Sequence, residues 1–173
     1  MAIGKVLLFG DPFLRRKCKN ADFSKKVHNR KIMRDLKDTL HSLQRVHRRG
    51  GGLAAPQIGY GERVVYVDAK GRSFHLFNPR IVRKSKAVFL DWDFCFSAKA
   101  AFIAKTSFHK TIEVEYFSHD GRKTKEKFSG YFASLLQHEI DHLNGRLFID
   151  KIDAGGIMMM EEWDRRFKYS QDY

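Results

Sequence analysis

Between residues 27 and 47, Met33, Leu36, Leu40 and Leu43 recur every three or four positions. That period predicts an α-helix with one apolar stripe facing a core. Arg30, Arg34, Lys37, His41, Arg45 and Arg48 keep the same period on another face, a basic stripe about five turns long at ~3.6 residues per turn. Further on the period falls to two. Ile112, Val114 and Tyr116 alternate with Glu113 and Glu115, so residues 111–117 read as a strand with one buried face. Short runs rich in apolar and β-branched residues predict more strands at 5–9, 63–68, 73–77, 86–90, 102–105, 123–128 and 147–149. His119-Asp120-Gly121-Arg122 predicts a hairpin turn of type I′, which Asp-Gly suits.

A second helix follows the last hairpin. Phe132, Leu135, Leu136, Ile140 and Leu143 put apolar residues all around it, with Ser129 placed to cap its start and Gly145 to end it. This predicts a buried helix that nonetheless carries polar residues. Gly155-Gly156 is expected to break the chain before a final helical segment at 157–169. The order implies an α+β fold over a single domain, 1–173, with antiparallel strands surrounding a central helix.

The polar residues of that helix are the candidate chemistry. Gln137-His138-Glu139-Ile140-Asp141-His142-Leu143 contains H-E-x-x-H, and residues four apart share a helix face. His138 and His142 can then offer two imidazoles to one metal, with Glu139 beside them as a general base. A buried imidazole or carboxylate without a partner is costly, and a metal would supply one. Catalytic sites usually take three protein ligands, and Cys95, outside the helix near a strand edge, is the candidate third; the alternative is an ordinary buried thiol. Two histidines and a cysteine suit iron(II), zinc, nickel or cobalt alike. Water activated there, with Glu139 moving the proton and Gln57 and the backbone N–H of Phe96 as donors to an oxyanion, would hydrolyse an amide. Gly50-Gly51-Gly52 lets backbone approach a ligand closely.

Charge and composition narrow the setting. Residues 1–50 carry 14 Lys and Arg against 4 Asp and Glu, +10 of the net +13, a field suited to an acidic partner such as RNA. No apolar run is long enough to cross a bilayer and the first residues lack a signal peptide, which places the protein in the cytoplasm with no membrane partner. Two cysteines, Cys18 and Cys95, do not make a disulfide framework there. Cys18, Trp92, Trp163 and Met158-Met159-Met160 read as packing.

Three motifs along the chain resemble the peptide deformylases. Gly50-Gly51-Gly52-Leu53-Ala54-Ala55-Pro56-Gln57 matches G-x-G-L-A-A-x-Q, Gln137 to Leu143 matches Q-H-E-x-D-H-L, and Asp93-Phe94-Cys95-Phe96-Ser97 stands in the place of E-G-C-L-S. Val6-Leu7, Asp11 to Arg15, Phe77-Asn78-Pro79 and Gly145 to Asp150 extend the likeness over most of the chain. The resemblance implies removal of the N-formyl group from the N-terminal methionine of nascent peptides by an iron(II) enzyme that tolerates nickel, cobalt or zinc. It implies Cys95, His138 and His142 as ligands, Glu139 as acid and base, and Gln57 with the Phe96 amide as oxyanion donors. Gly50, Gly52 and Phe94 would line the substrate, a small apolar pocket would take the methionine side chain, and Asp141 would orient a neighbour from behind the ligands. Phe94, standing where the family has glycine, is expected to narrow the cleft or to force a backbone that glycine allows. The competing expectations are another metal-dependent amidase on the same scaffold, or a weakly active member whose basic N-terminal helix binds RNA or the ribosome.

Overall fold

The computed structural model describes residues 4–167. Its first helix, α1, spans Lys26–His47, and Arg48 ends it in the left-handed region at φ 54°. The fully buried stripe is Ile32, Leu36 and Leu40, with Met33 and Leu43 half-buried beside it. Eight strands follow in two antiparallel sheets: β1 (Gly52–Ala54), β2 (Val64–Ala69), β3 (Arg72–Lys84), β4 (Val88–Asp93), β5 (Phe102–His109), β6 (Thr111–Phe117), β7 (Lys123–Ser129) and β8 (Ile152–Met159). One sheet runs β1-β2-β3-β6-β7 and the other β4-β5-β8. The second helix, α2, spans Gly130–Leu143, and a short third, α3, spans Met160–Phe167.

Helix α2 touches β1, β2, β3, β6 and β7 of the larger sheet and β5 of the smaller, so strands do surround it. Leu136, Ile140 and Leu143 pack there against Val65, Val67, Leu76, Ile112 and Val114. Burying each such side chain contributes about 1.5–3 kcal/mol, which fixes the helix that carries the histidines. The alternation in β6 holds, with Ile112 and Val114 fully buried.

Several local expectations fail for identifiable reasons. Residues 5–9 form no strand; Leu7 and Phe9 instead donate to the carbonyls of Gln57 (2.8 Å) and Ser97 (2.9 Å), both in turns that offer no ladder. Strand β3 runs through Asn78-Pro79 because the register slips between Phe77 and Arg80, and a bulge needs no N–H from Pro79. Asn78 holds that bulge at φ 51°, its side chain bonding Ala21 N at 2.7 Å and Ala21 O at 3.1 Å. The hairpin at Gly121 is not type I′. Gly121 alone has positive φ there (85°), and Gly121 N bonds Ser118 O at 3.0 Å, giving a three-residue loop closed by a left-handed glycine. Residues 148–150 make a 3-10 turn where a strand was expected, and β8 passes through Gly155-Gly156, so residues 157–159 are strand and the helix begins at Met160. The expected end of that helix, 168–169, lies outside the described residues. Ser129 precedes α2 without a side-chain cap bond, whereas Gly145, at φ 72°, does follow its end.

Candidate active site

Three polypeptide segments meet at the buried side of α2. Strand β1 and the 3-10 turn Ala55–Ile58 supply Gly52 and Gln57, the end of β4 supplies Asp93 and Cys95, and α2 supplies His138, Glu139 and His142. Cys95 lies in extended backbone and caps a 3-10 turn, Phe96–Ala98, whose first N–H, that of Phe96, has no partner within the turn. Cys95 Sγ lies 3.2 Å from His142 Nε2, which lies 3.2 Å from His138 Nε2. Cys95, His138 and His142 thus form a buried group whose ligand atoms all fall within 4.8 Å of one another.

The surroundings hold these atoms in place. Asp93 Oδ2 bonds His138 Nδ1 at 2.8 Å, which turns Nε2 toward the cysteine. Gln57 Oε1 accepts from Ala54 N at 2.9 Å, so its Nε2 points inward, toward Cys95 Sγ (3.4 Å) and Ser97 Oγ (3.3 Å). Glu139 is 3% exposed and its Oε2 has no hydrogen-bond partner, nor has His142 Nδ1. A Cβ on Gly52 would lie 2.7 Å from Glu139 Oε1, so only glycine lets the carboxylate sit here.

Burial sets the protonation of the group. It raises the Glu139 carboxyl to about 7, His138 opposing and Asp93 adding. It pulls both histidines down, but at His138 the Asp93 carboxylate and the Cys95 sulfur outweigh it and the net direction is well above the usual range. His142, with the charge of His138 added to burial, falls well below that range.

Gly50, Gly52, Phe94 and Phe96 line the cleft beside these residues. Phe94 keeps a negative φ, so the glycine-only backbone is not imposed on it. Its ring stands edge-on to Phe96 at 5.5 Å, and Phe96 in turn fills the space that a side chain at Gly50 would need. Phe94 therefore occupies part of the cleft, with a backbone that does not need glycine. Asp141 turns the other way and pairs with Lys151, so the residue that orients a histidine is Asp93. Asp93 was legible as the carboxylate in the first position of the E-G-C-L-S stretch, but its bond to His138 was not. Ser97, behind Gln57, matches the last position of that same motif, though nothing in the sequence ties it to Gln57.

An α+β fold with a Cys-His-His group on and beside an H-E-x-x-H helix is the arrangement of a metal-dependent hydrolase. The polypeptide deformylase family matches residues 3–156. The peptide deformylase of Pseudothermotoga lettingae is 37% identical over 88% of this chain and 84% of its own, and that of Thermomicrobium roseum 38% identical over 88% of each. The crystal structure of the Thermotoga maritima peptide deformylase superposes with a TM-score of 0.79 at 30% identity, covering 88% of this chain and 99% of that one. This chain belongs to the peptide deformylase family.

Proposed function

We propose that this protein, a single catalytic domain, removes the N-formyl group from the N-terminal methionine of nascent peptides in the cytoplasm, using one divalent metal, iron(II) in the cell. The observation that carries the reading is the convergence of Cys95, His138 and His142 beside an unpartnered, buried Glu139. The donor set fits a metal. Two imidazole nitrogens and a thiolate, buried together with all three donor atoms within 4.8 Å of one another and His142 Nε2 3.2 Å from each of the other two, are a donor set that a divalent transition metal would take. Cys95, His138 and His142 would hold it, and zinc, nickel or cobalt would serve the same donors.

When bound, the metal polarises the formyl carbonyl and makes water a nucleophile near neutral pH. The residues do the rest. Glu139 takes the proton from the attacking water at its free Oε2 and gives it to the departing amine nitrogen, leaving formate and a free N-terminus. Gln57 Nε2, aimed by Ala54, and the Phe96 N–H donate to the formyl oxygen as it gains charge. Asp93 keeps His138 in the tautomer that leaves Nε2 free. Walls of Leu135, Phe94 and Phe108 keep bulk water out.

Arg30, Arg34, Lys37, Arg45 and Arg48 are exposed on α1, while His41 is tied to Asp68 at 2.6 Å. That basic face supports contact with ribosomal RNA, where formylated chains emerge; a steep fall of binding with salt tests it. Among the described residues no helix is long and apolar enough to cross a membrane. The test of the activity is formate release from a formyl-methionyl peptide by protein loaded with iron(II) without oxygen, or with nickel. Glu139→Ala should retain the metal and lose at least a thousandfold in kcat/KM. Fully metallated wild-type protein that releases no formate would refute the reading.

A further inference from the structure

Gly50, Gly51 and Gly52 line one rim of the cleft, between the end of α1 and the start of β1. Neighbours leave no room for a side chain there: a Cβ at Gly50 would meet the Phe96 ring, and one at Gly51 the Tyr131 hydroxyl and Ala69. A run of glycines loses more freedom on being fixed than any other residue type. Gly52 is held by its pairing with Val67. Gly50 and Gly51 precede the first pair of β1 and need a restraint from elsewhere.

That restraint is Gln44, half-buried in the last turn of α1. Its Nε2 donates to Gly50 O and to Asp68 O, each at 2.9 Å. Both partners are acceptors, so the amide has only one orientation. The Gln44 carbonyl also takes the Arg48 N–H at 2.8 Å, which closes the turn out of the helix on the same residue. Asp68 N–H bonds Gly51 O at 2.8 Å, and in a continued antiparallel ladder Gly51 N–H would return a bond to Asp68 O. Gln44 occupies that oxygen instead, and among the described residues Gly51 N–H has no acceptor.

The peptide between Gly50 and Gly51 is thus turned over relative to a strand, with Gly50 at φ 90°. A trans peptide sets its C=O and N–H on opposite sides. With Gly50 O drawn to Gln44, Gly51 N–H points away from α1; with Gly51 O drawn to β2, Gly52 N–H points away from that strand. β1 is the edge of its sheet, and beyond it lies the cleft. Two successive N–H donors therefore share the cleft side.

We propose that Gln44 is a positioning residue for the substrate: by turning the Gly50–Gly51 peptide it presents the Gly51 and Gly52 N–H groups together to a backbone carbonyl of the formylated peptide. The inference rests on the deformylase reading and concerns how that substrate is held, apart from the chemistry at Glu139. Without Gln44 the substrate itself has to fix the two glycines, and that ordering cost falls on binding. The contact of Gly52 with Glu139 is kept by the β1–β2 pairing, so the chemical step is spared.

The test uses nickel-loaded protein and a formyl-methionyl tripeptide, with KM and kcat read from formate release. Gln44→Met, which keeps the length and removes the donors, should raise KM about tenfold or more and leave kcat within threefold of wild type. Gln44→Glu, which sets a carboxylate against two carbonyls, should raise it further; circular dichroism and metal content establish that both variants are folded and loaded. A second measurement needs no change at Gln44. In zinc-loaded Glu139→Ala protein, saturation with the same peptide should slow amide exchange at Gly51 and Gly52 about tenfold or more. KM within threefold of wild type in both variants, a loss confined to kcat or metal content, or Gly51 exchange unmoved by bound peptide would overturn the role of Gln44 while leaving deformylation intact. No formate from metal-replete wild-type protein would remove the deformylase reading and this inference with it.

Discussion

Substituting Gly52 by alanine tests the proposed proton carrier without touching it. The added Cβ would lie 2.7 Å from Glu139 Oε1, 2.9 Å from Cγ and 3.0 Å from Cδ. Neither partner yields freely: Gly52 is paired to Val67 in β1, and Glu139 stands on a helix turn whose neighbours His138 and Ile140 are buried. Restoring ordinary contact, from 2.7 Å to about 3.4 Å, moves the carboxylate by roughly 0.7 Å. Displacements near 1 Å in a reacting geometry cost about a hundredfold in rate, or ~2.7 kcal/mol. We therefore expect Gly52→Ala to lower kcat/KM for a formyl-methionyl peptide about a hundredfold at unchanged metal content. In a Glu139→Ala background the same substitution should have almost no further effect, because both act through one carboxylate. Activity within threefold of wild type, or a second hundredfold loss in that background, would refute the reasoning.

Other predictions follow from single contacts. Asp93→Ala leaves His138 Nδ1 without its 2.8 Å partner and should weaken metal affinity by about 10–100-fold, read by competition with a chelator. Burial holds His75 at about 4, below its ordinary 6.5; the unfolded chain therefore binds the proton first, and stability falls as pH drops through that window. The loss from this group should be about 2 kcal/mol between pH 7 and pH 5, seen as the difference in urea midpoints between wild type and His75→Phe; parallel curves would refute it. Leu136→Ala empties a fully buried position on α2 and should cost about 2–5 kcal/mol in urea denaturation.

The parts of this molecule legible in the sequence are those whose signal is local. The H-E-x-x-H spacing places two histidines on one helix face from the helical repeat alone, and β6 declares itself by alternation. The third donor is not local. Cys95 reaches His142 across 47 residues, through a strand that is exposed at its start and carries Asp91 and Asp93 on the inner face. Short apolar runs were read least well. Residues 5–9, 147–149 and 157–159 have similar composition, yet became a loop, a 3-10 turn and a strand, according to whether a sheet edge was in reach. Phe94 stands where the family has glycine, yet it does not adopt a positive φ, a backbone fact that residue type alone does not reveal.

The two sheets share no strand, and the candidate metal group straddles them. Cys95 follows directly from the smaller sheet, whereas His138 and His142 ride on a helix cored into the larger one. A metal held by all three would act as a rivet between two separately laddered halves. Its escape would then be timed by the breathing of β4 and β5: the cysteine arm lets go whenever the small sheet parts from α2, while the histidines stay where they are. Amide exchange in those two strands would thus keep the clock for metal loss.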